Sequence, residues 1–525
     1  MYKETDTSEL DGFTRELFGE LFSPAGTKAE PGQQERREVS ELLEKARDTD
    51  LTQPIVDLFL ILRRISKEKG HTPADMGVEK SELIRLALKH RDLDEHGVTV
   101  GGRVLKALEI VRQADERARE YLENHPLEAP SGIELWDRIL ENQKHIRKVL
   151  GMKQEDWDSF SGQLRFAIES VQTLSEILDL PQKAADDIRR VTKHYRMRLT
   201  PYYTSLIMPG VINDPVLLQS VPTGEMVDNV GEEIPPVAAD HSPARLIDQF
   251  YPRVATIKAT NMCGMYCTHC LRIAHIGKKD RIYNKKAYRE ALDYIRNNPG
   301  IRDVLVTGGD AFVLPNDLLR WLLEDLDRIP HVRLKRLGSR IPVTTPQRMD
   351  SELLEILEKS NDRKPLRVVT QINTAQEITP VSAETFKQIA RRVNAVLNQA
   401  VLLRGINDTP TKMWKLSETI QEAHVRPYYV FNCSYRNPQF AHLRVPVQVG
   451  QDIIESMYGN VSGDAIPRYI ATAGGKIPLH RSNIQDRTQG ELVLKKPWDG
   501  EEVSYPDPDE KDYRDENFSF ARYLD

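Results

Sequence analysis

The segment Val254-Ala-Thr-Ile-Lys-Ala-Thr-Asn-Met-Cys-Gly-Met-Tyr-Cys-Thr-His-Cys-Leu-Arg272 joins a short β-branched run to a group of three cysteines. Residues 254–260 have the composition typical of a buried strand. Cys263, Cys267 and Cys270 then follow at C-x3-C-x2-C spacing. Three thiolates in one loop leave one coordination position open, which suits a [4Fe-4S] cluster in which one iron has no protein ligand.

Two other interpretations of the cysteines remain open at this point. A structural zinc site could add His269 or His275 as a fourth ligand, although closed zinc sites usually draw their ligands from two separated pairs. The thiols could also be unligated. A disulfide is excluded, because Cys433 is the only other cysteine and nothing at the start of the sequence resembles a secretion signal. We favour the iron-sulfur cluster.

The composition predicts a soluble, cytoplasmic protein with more than one domain. The chain has 525 residues, which exceeds the size at which one hydrophobic core keeps growing. Charged residues make up 29% of it and the formal net charge is -6, so we expect no general attraction to nucleic acid or to an anionic membrane. No apolar run is long enough for a transmembrane helix.

The chain can be divided into four regions. Residues 1–207 carry apolar residues at three- and four-residue steps, which predicts a helical N-terminal region. Residues 208–249, rich in proline and acidic residues, predict an extended connector. Residues 250–490 form the predicted catalytic region, and residues 491–525 a C-terminal tail. The clearest helical segments of the first region are Arg36 to Ser66, Gly102 to Glu123, Ile133 to Leu150 and Gln182 to Arg198.

The catalytic region alternates β-branched runs with amphipathic helical segments, which predicts an α/β fold. Such an alternation favours parallel strands joined by right-handed helical crossovers. Six units would curl into a partial (βα)6 barrel with its active site at the carboxyl ends of the strands. The predicted strands are Val254-Thr260, Asp303-Thr307, Val332-Gly338, Leu366-Ile372, Asn398-Leu403 and Arg426-Asn432. The predicted helices lie near Lys285-Asn297, Asp317-Arg328, Ser351-Lys359, Ala383-Asn394 and Lys412-His424.

Polar residues recur after the carboxyl ends of these strands. An ordinary turn explains each motif well when it is taken alone. Their repetition at one edge of a parallel sheet, together with the cysteine loop, favours a shared site. The motifs after the second, third and fourth strands are Thr307-Gly-Gly-Asp310, Gly338-Ser-Arg340 and Gln371-Ile-Asn373.

Eight motifs in a fixed order resemble one known family. They are Leu199-Thr-Pro-Tyr-Tyr203, Cys263 to Arg272, Val304 to Asp310, Arg336-Leu-Gly-Ser-Arg340, Thr345-Pro-Gln-Arg348, Val401 to Asp408, Val425-Arg-Pro-Tyr-Tyr429 and Gly474-Gly-Lys476. This set resembles the lysine 2,3-aminomutase family of radical S-adenosylmethionine (SAM) enzymes, isomerases that also use pyridoxal 5′-phosphate (PLP). The resemblance covers about residues 196–506 and leaves most of the first hundred residues outside it.

The resemblance implies how the cluster and SAM would be bound. The three cysteines would bind three irons, and the amino and carboxylate groups of SAM would bind the fourth. Gly308 and Gly309 would let the backbone approach SAM closely, and Asp310 would hold its ammonium group. An electron donor such as flavodoxin or ferredoxin is implied as a partner, and a homo-oligomer is expected.

The resemblance also implies a PLP site. Lys476 matches the lysine that forms an imine with PLP, and a lysine shielded from water can lose its proton and act as the nucleophile. The glycine run before it is shorter here than in the family, reading Ala473-Gly-Gly. Tyr251 matches a tyrosine near PLP, but the adjacent family arginine is Phe250 in this chain, which makes Arg253 a candidate replacement for the phosphate contact.

The implied reaction moves an α-amino group of an amino acid to its β-carbon. Arg272 matches the arginine that binds the substrate carboxylate, for which a planar guanidinium fork is well suited. Lysine-specific relatives carry two aspartates near the substrate ammonium, and these positions read Ser434 and Thr472 here. Lysine is therefore disfavoured, because its ammonium group would be poorly paired. Arg436 and Arg468 lie nearby in sequence, which favours an acidic or polar uncharged side chain.

Three alternatives remain from the sequence. The substrate could still be lysine. The chain could be a radical SAM enzyme of another reaction type that does not use PLP. It could also be a non-catalytic metal-binding scaffold whose helical N-terminal region carries the biological role.

Overall fold

The fold is described by a computed structural model that covers residues 12–22, 32–48, 53–89, 100–230, 242–276 and 279–524. The chain divides into two compact units, Met1–Arg119 and Glu120–Asp525. The helix Val100–Glu128 runs across the boundary between them. No helix in these described ranges is both long and apolar enough to cross a membrane.

The first unit is helical and has its own apolar core. The predicted helical segment from Arg36 to Ser66 consists of two helices, and residues 49–52 between them lie outside the described residues. Apolar side chains at helical spacing, such as Val39 and Leu43, pack with Phe18 and Phe59. The helices before residue 100 are Gly12–Phe22, Gln33–Asp48, Gln53–Lys69 and Lys80–Lys89.

The second unit begins with helices that precede a large sheet. Two of them lie in the segment predicted as a connector, where the Asp214 carboxylate accepts the backbone N–H groups of Val216 and Leu217, at 2.9 Å each, and so caps the next helix. Residues 231–241, which include the predicted connector residues Pro235 and Pro236, lie outside the described residues. The helices are Trp136–Leu150, Gln154–Trp157, Phe160–Arg165, Val171–Leu178, Gln182–Thr192, Pro201–Thr204, Pro215–Ser220 and Glu225–Asp228.

Nine strands of the described residues form one curled half-barrel sheet in the order of the sequence. Neighbouring strands from β2 to β8 are parallel, and β1 and β9 close the two edges in antiparallel pairs. The α/β class is confirmed, and the six predicted strands correspond to β2 to β7. The strands are β1 Ile247–Tyr251, β2 Val254–Thr260, β3 Asp303–Gly308, β4 Leu334–Gly338, β5 Leu366–Thr370, β6 Ala395–Leu402, β7 Arg426–Asn432, β8 Arg468–Thr472 and β9 Lys476–Pro478.

Helices cover the outer face of the sheet. Capping side chains begin several of them, and the Asn284 and Thr409 oxygens accept backbone N–H groups three residues further along. The predicted helices are confirmed, with ends that differ by a few residues because capping residues and prolines set the boundaries. The helices that correspond to predicted ones are Lys285–Arg296, Asn316–Arg328, Ser351–Arg363, Pro380–Ala390 and Pro410–Glu422. The helices Ile273–Ile276, Ile341–Thr344 and Val447–Met457 were not predicted.

The two faces of the sheet carry different side chains, because residues alternate along a strand. On β4, Lys335 is fully buried against the outer helices, where its ammonium group donates to the Ser360 carbonyl at 2.9 Å. Its neighbour Arg336 points to the concave face and donates to the Asp303 carboxylate at 2.8 Å. Polar and aromatic side chains on the concave face are therefore the candidates for ligand binding.

A second sheet packs near the carboxyl end of the chain. Its strand β12 places Tyr505, which is 1% exposed, against Asn432 at the end of β7. The segment predicted as a C-terminal tail thus contains regular structure. The sheet consists of β10 Ile484–Thr488, β11 Glu491–Lys495 and β12 Glu502–Pro506, and the short helix Glu510–Tyr513 follows it.

Candidate active site

The loop with the three cysteines leaves the carboxyl end of β2 and is anchored at both ends. The Asn261 side chain donates to the carbonyls of Ile276 and Lys279, at 2.9 Å each. On the other side, Thr268 donates to the Leu218 carbonyl, also at 2.9 Å. These bonds hold the loop between the helices before the sheet and the segment that follows the cysteines.

The cysteines themselves are free thiols, and Cys263, Cys267 and Cys270 are partly exposed. Burial raises the pKa of Cys270 to about 12 and the pKa of Cys263 well above its usual range, so both are protonated until a metal displaces the proton. Within the described ranges, no three His, Cys, Asp or Glu side chains converge on a position for one ion. The three cysteines are nevertheless the ligand type that an iron-sulfur cluster uses, and they share one loop after β2.

A buried polar network lies beneath Cys267. The Arg340 guanidinium donates to the Cys267 sulfur at 2.8 Å and to the Glu377 carboxylate at 2.6 Å. The same guanidinium donates to Gln219 at 2.9 Å. Three buried atoms of this region, the Gln219 amide nitrogen, the His269 Nδ1 and the Arg340 Nε, have no hydrogen-bond partner among the described residues. Orphaned donors beside the cysteines fit a site that is completed by an acceptor-rich group such as a sulfide cluster or a carboxylate.

His269 lies between two of the cysteines and is neutral. Burial, followed by the nearby Arg340, lowers its pKa to about 3. Its Nε2 lies 3.0 Å from the Gln371 amide nitrogen and 3.4 Å from that of Asn373, both just beyond the end of β5. The polar motif after β5 therefore contacts the cysteine loop.

The glycines after β3 pack against the chain that enters the cysteine loop. A Cβ atom on Gly309 would overlap the Met262 carbonyl oxygen, so only glycine fits there. The next residue, Asp310, is 5% exposed, and its carboxylate accepts the backbone N–H groups of Phe312 and Arg340. Burial raises its pKa to about 6. The predicted SAM contacts Gly308, Gly309 and Asp310 thus lie beside the cysteine loop, and Asp310 also fixes the backbone of Arg340.

Lys476 is the first residue of β9 and reaches over two aromatic rings on the concave face. Its Nζ lies 4.8 Å from the ring centroid of Tyr429 and 5.6 Å from that of Phe431. Burial, followed by the nearby Arg336 guanidinium, lowers its pKa to about 8 from 10.5. An amine with this pKa is partly unprotonated near neutral pH, and flat aromatic walls beside it fit a planar cofactor such as PLP.

The structure brings Tyr251 and Thr472 to Lys476. The Lys476 backbone N–H donates to the Tyr251 hydroxyl at 2.9 Å. Thr472 lies opposite Lys476 in the pairing of β8 with β9. Between these strands, Gly475 has a φ of 150°, and a Cβ atom there would lie 2.6 Å from the Trp498 ring. The shortened glycine run still forms the turn that a side chain would block.

The other predicted site residues lie around the same edge of the sheet. Arg272 is partly buried, and its guanidinium lies 3.5 Å from the Thr307 hydroxyl at the end of β3. Ser434 follows β7, and its hydroxyl accepts the Arg436 backbone N–H at 3.3 Å. Arg253, the candidate replacement for the family arginine, is exposed.

Sequence patterns did not indicate the surroundings of Lys476 or the partners of Cys267. Tyr429, Phe431 and Arg336 lie on strands that the sequence places correctly, but only the pairing of the sheet brings them beside Lys476. Arg340 and Glu377 follow two different strands. The Gly338-Ser-Arg340 motif was a partial signal, since it stood at the carboxyl end of a predicted strand.

Curated proteins similar to this chain are aminomutases. Glutamate 2,3-aminomutase of Clostridioides difficile (strain 630) is 38% identical over 380 residues, which is 72% of this chain and 89% of the relative. L-lysine 2,3-aminomutase of Clostridium subterminale is 35% identical over 358 residues, 67% of this chain and 85% of the relative. The L-lysine 2,3-aminomutase of Bacillus subtilis (strain 168) is 33% identical over 379 residues, 71% of this chain and 79% of the relative.

No family model matches the chain. The relatives nevertheless match over most of their own length, at more than 30% identity. The chain therefore belongs to the lysine 2,3-aminomutase family and is an isomerase.

Proposed function

We propose that this protein is a radical SAM and PLP dependent amino acid 2,3-aminomutase whose substrate is not lysine. One observation carries the proposal. The strands β2 to β8 are parallel, so the cysteine loop after β2 and the Lys476 turn after β8 open at the same edge of the sheet. An iron-sulfur site and an activated amine at one barrel mouth are the two parts that a radical amino shift requires.

The proposed cofactors divide the chemistry with the protein. When bound, the cluster with SAM supplies a hydrogen-abstracting radical, and PLP supplies a π system that carries nitrogen between neighbouring carbons. Lys476 supplies the unprotonated amine that attaches PLP, and Arg336 helps to keep it unprotonated. Tyr429 and Phe431 cover one side of that amine and exclude water. Arg272 binds the substrate carboxylate and so orients the carbon that loses hydrogen.

The charges on the concave face support a substrate without an ammonium side chain. The Asp303 carboxylate is paired with Arg336 at 2.8 Å, and Asp248 is paired with Lys258 at 3.0 Å. Carboxylates that already hold a cation are poor partners for a lysine substrate. Arg468, the first residue of β8, is exposed and shares a face of the strand with Thr472, about 13 Å further along, because side chains alternate along the strand. We therefore propose an acidic or polar uncharged substrate side chain.

Turnover of anaerobically reconstituted protein tests the proposal. Reduced protein loaded with iron, sulfide, SAM and PLP is given glutamate, aspartate, glutamine or lysine singly, and the β-amino product is measured by mass spectrometry. We expect conversion of an acidic or amide side chain. Rapid conversion of lysine without conversion of glutamate would overturn the substrate preference.

Two variants separate the parts of the proposal. Lys476→Ala should retain the cluster but lose the PLP adduct and turnover. Arg468→Gln should lower kcat/KM for an acidic substrate by more than for an uncharged one. If Arg468→Gln leaves this ratio unchanged, Arg468 does not select the side chain, and the substrate must be recognised elsewhere.

A further inference from the structure

The guanidinium of Arg340 contacts a cysteine of the proposed cluster site. Its Nη1 lies 2.8 Å from the Cys267 sulfur. The Arg340 side chain is only 11% exposed, so little water can compete for this contact. A hydrogen bond from a charged donor to sulfur is stronger in such a place than at the surface.

The other side of the guanidinium is fixed by groups that are themselves buried. Nη2 donates to the Glu377 carboxylate at 2.6 Å, and Glu377 is fully buried. The Tyr203 hydroxyl donates to the same carboxylate at 2.9 Å. The backbone N–H of Arg340 donates to Asp310 at 2.6 Å. With both backbone and side chain held, the guanidinium cannot turn away from Cys267.

We propose that Arg340 is a positioning residue that donates to the Cys267 thiolate and raises the reduction potential of the cluster. The inference rests on the proposed function, since it takes Cys267 to be a cluster ligand. Reduction adds one electron to the cluster, supplied by an external low-potential donor, and no bond forms or breaks. The added charge spreads onto the cysteine sulfurs, and a donor or a positive charge beside a sulfur stabilises the reduced form.

Glu377 should act in the opposite direction. Its carboxylate accepts a hydrogen bond from Nη2 of Arg340 and offsets part of the guanidinium charge. Without that negative charge, the field of Arg340 at Cys267 becomes more positive. Loss of Arg340 should therefore make the cluster harder to reduce, and loss of the Glu377 charge should make it easier to reduce.

The test is the midpoint potential of the cluster in the reconstituted full-length protein without SAM. A dithionite titration followed by electron paramagnetic resonance compares wild type with Arg340→Gln, Arg340→Lys and Glu377→Gln. We expect Arg340→Gln to lower the equilibrium constant for reduction about tenfold, which is ~59 mV for a one-electron couple. Arg340→Lys should lower the potential by less, because the positive charge remains and only the planar pair of guanidinium donors is lost. Glu377→Gln should shift it to a higher potential.

A second buried arginine provides the matched control. Arg348 is 5% exposed and donates to the carbonyls of Phe312 and Leu314. Arg348→Lys should leave the midpoint potential unchanged. A shift seen only in the Arg340 variants then comes from the contact with the Cys267 sulfur and not from altering a buried guanidinium in general. Iron content and thermal unfolding are measured for every variant.

The possible outcomes are distinguishable. Opposite shifts for the two charge-removing variants support the inference, and Glu377→Gln still tests it if Arg340→Gln does not fold. An unchanged potential in Arg340→Gln with full iron content overturns it, and so do shifts of the same sign. A wild-type protein that forms no four-iron cluster overturns the proposed function first, and this inference with it.

Discussion

The amine of Lys476 should combine with PLP at a pH well below that of an ordinary lysine. Burial and the Arg336 guanidinium lower its pKa from 10.5 to about 8. At pH 8 about half of the Lys476 side chains are then unprotonated, compared with roughly 0.3% for a pKa of 10.5. The unprotonated amine is the nucleophile, so the rate of adduct formation at this pH should exceed that of a free lysine by about 100-fold.

The assay mixes cofactor-free protein with PLP over a range of pH values. Borohydride traps the adduct, and mass spectrometry of the peptide containing residue 476 measures how much has formed. A short model peptide with one lysine gives the reference curve. The midpoint for Lys476 should lie near pH 8. The variant Lys476→Arg should give no adduct at that position.

Two results would refute this reasoning. A midpoint that coincides with that of the model peptide would mean that burial does not activate the amine. Trapping at another lysine in the Lys476→Arg variant, with the same midpoint as wild type, would assign the PLP site elsewhere in the chain.

Four further predictions concern stability and metal binding. A lysine whose pKa is lowered by folding binds fewer protons in the native state than in the unfolded state. The free-energy cost of burying its protonated amine is therefore greatest at neutral pH and below, and it declines as the pH rises above about 8. Lys476→Met should therefore raise the free energy of unfolding in urea at pH 7, by at most about 3 kcal/mol, and the gain should shrink toward pH 10. Arg336→Leu should raise the pKa of Lys476 measured by PLP trapping, because it removes a nearby cation and leaves the Asp303 carboxylate without its partner near the amine. Gly309→Ala should destabilise the protein by about 1–3 kcal/mol and reduce iron bound per chain, as judged by urea unfolding and iron analysis. Cys263→Ala should lose the four-iron absorbance, whereas Cys433→Ala should keep it; equal iron loss in both would contradict the assignment of the three cysteines.

The alternation of strands and helices could be predicted because it depends on local sequence periodicity. The β-branched run before the cysteines and the amphipathic segments after it have the periods of a strand and of helices. The edges of the sheet were not predicted. Strand β9 is three residues long, and β1 pairs with β2 only through a bulged antiparallel register, so neither has a pattern strong enough to detect.

The candidate site was predicted in part. The cysteine loop, Lys476 and Tyr251 came from motifs, and the contact of Tyr251 with Lys476 joins residues that are 225 positions apart. Phe431 gave no signal, since an aromatic residue in a core is common in any α/β protein, and Arg336 stood in a family motif that did not indicate its place beside Lys476. Their importance follows from where their side chains point.

The sequence alone determined the types of chemistry at hand: three closely spaced thiols, a lysine after a glycine turn, and polar residues at the ends of successive parallel strands. Only the tertiary structure decided which of these groups share an environment. Burial by distant segments lowers the pKa of Lys476, and Arg340 from the loop after β4 donates both to the sulfur of Cys267 and to Glu377 from the loop after β5. The physical reason is that the strength of charges and hydrogen bonds depends on exclusion of water, which the folded chain imposes and local sequence does not encode.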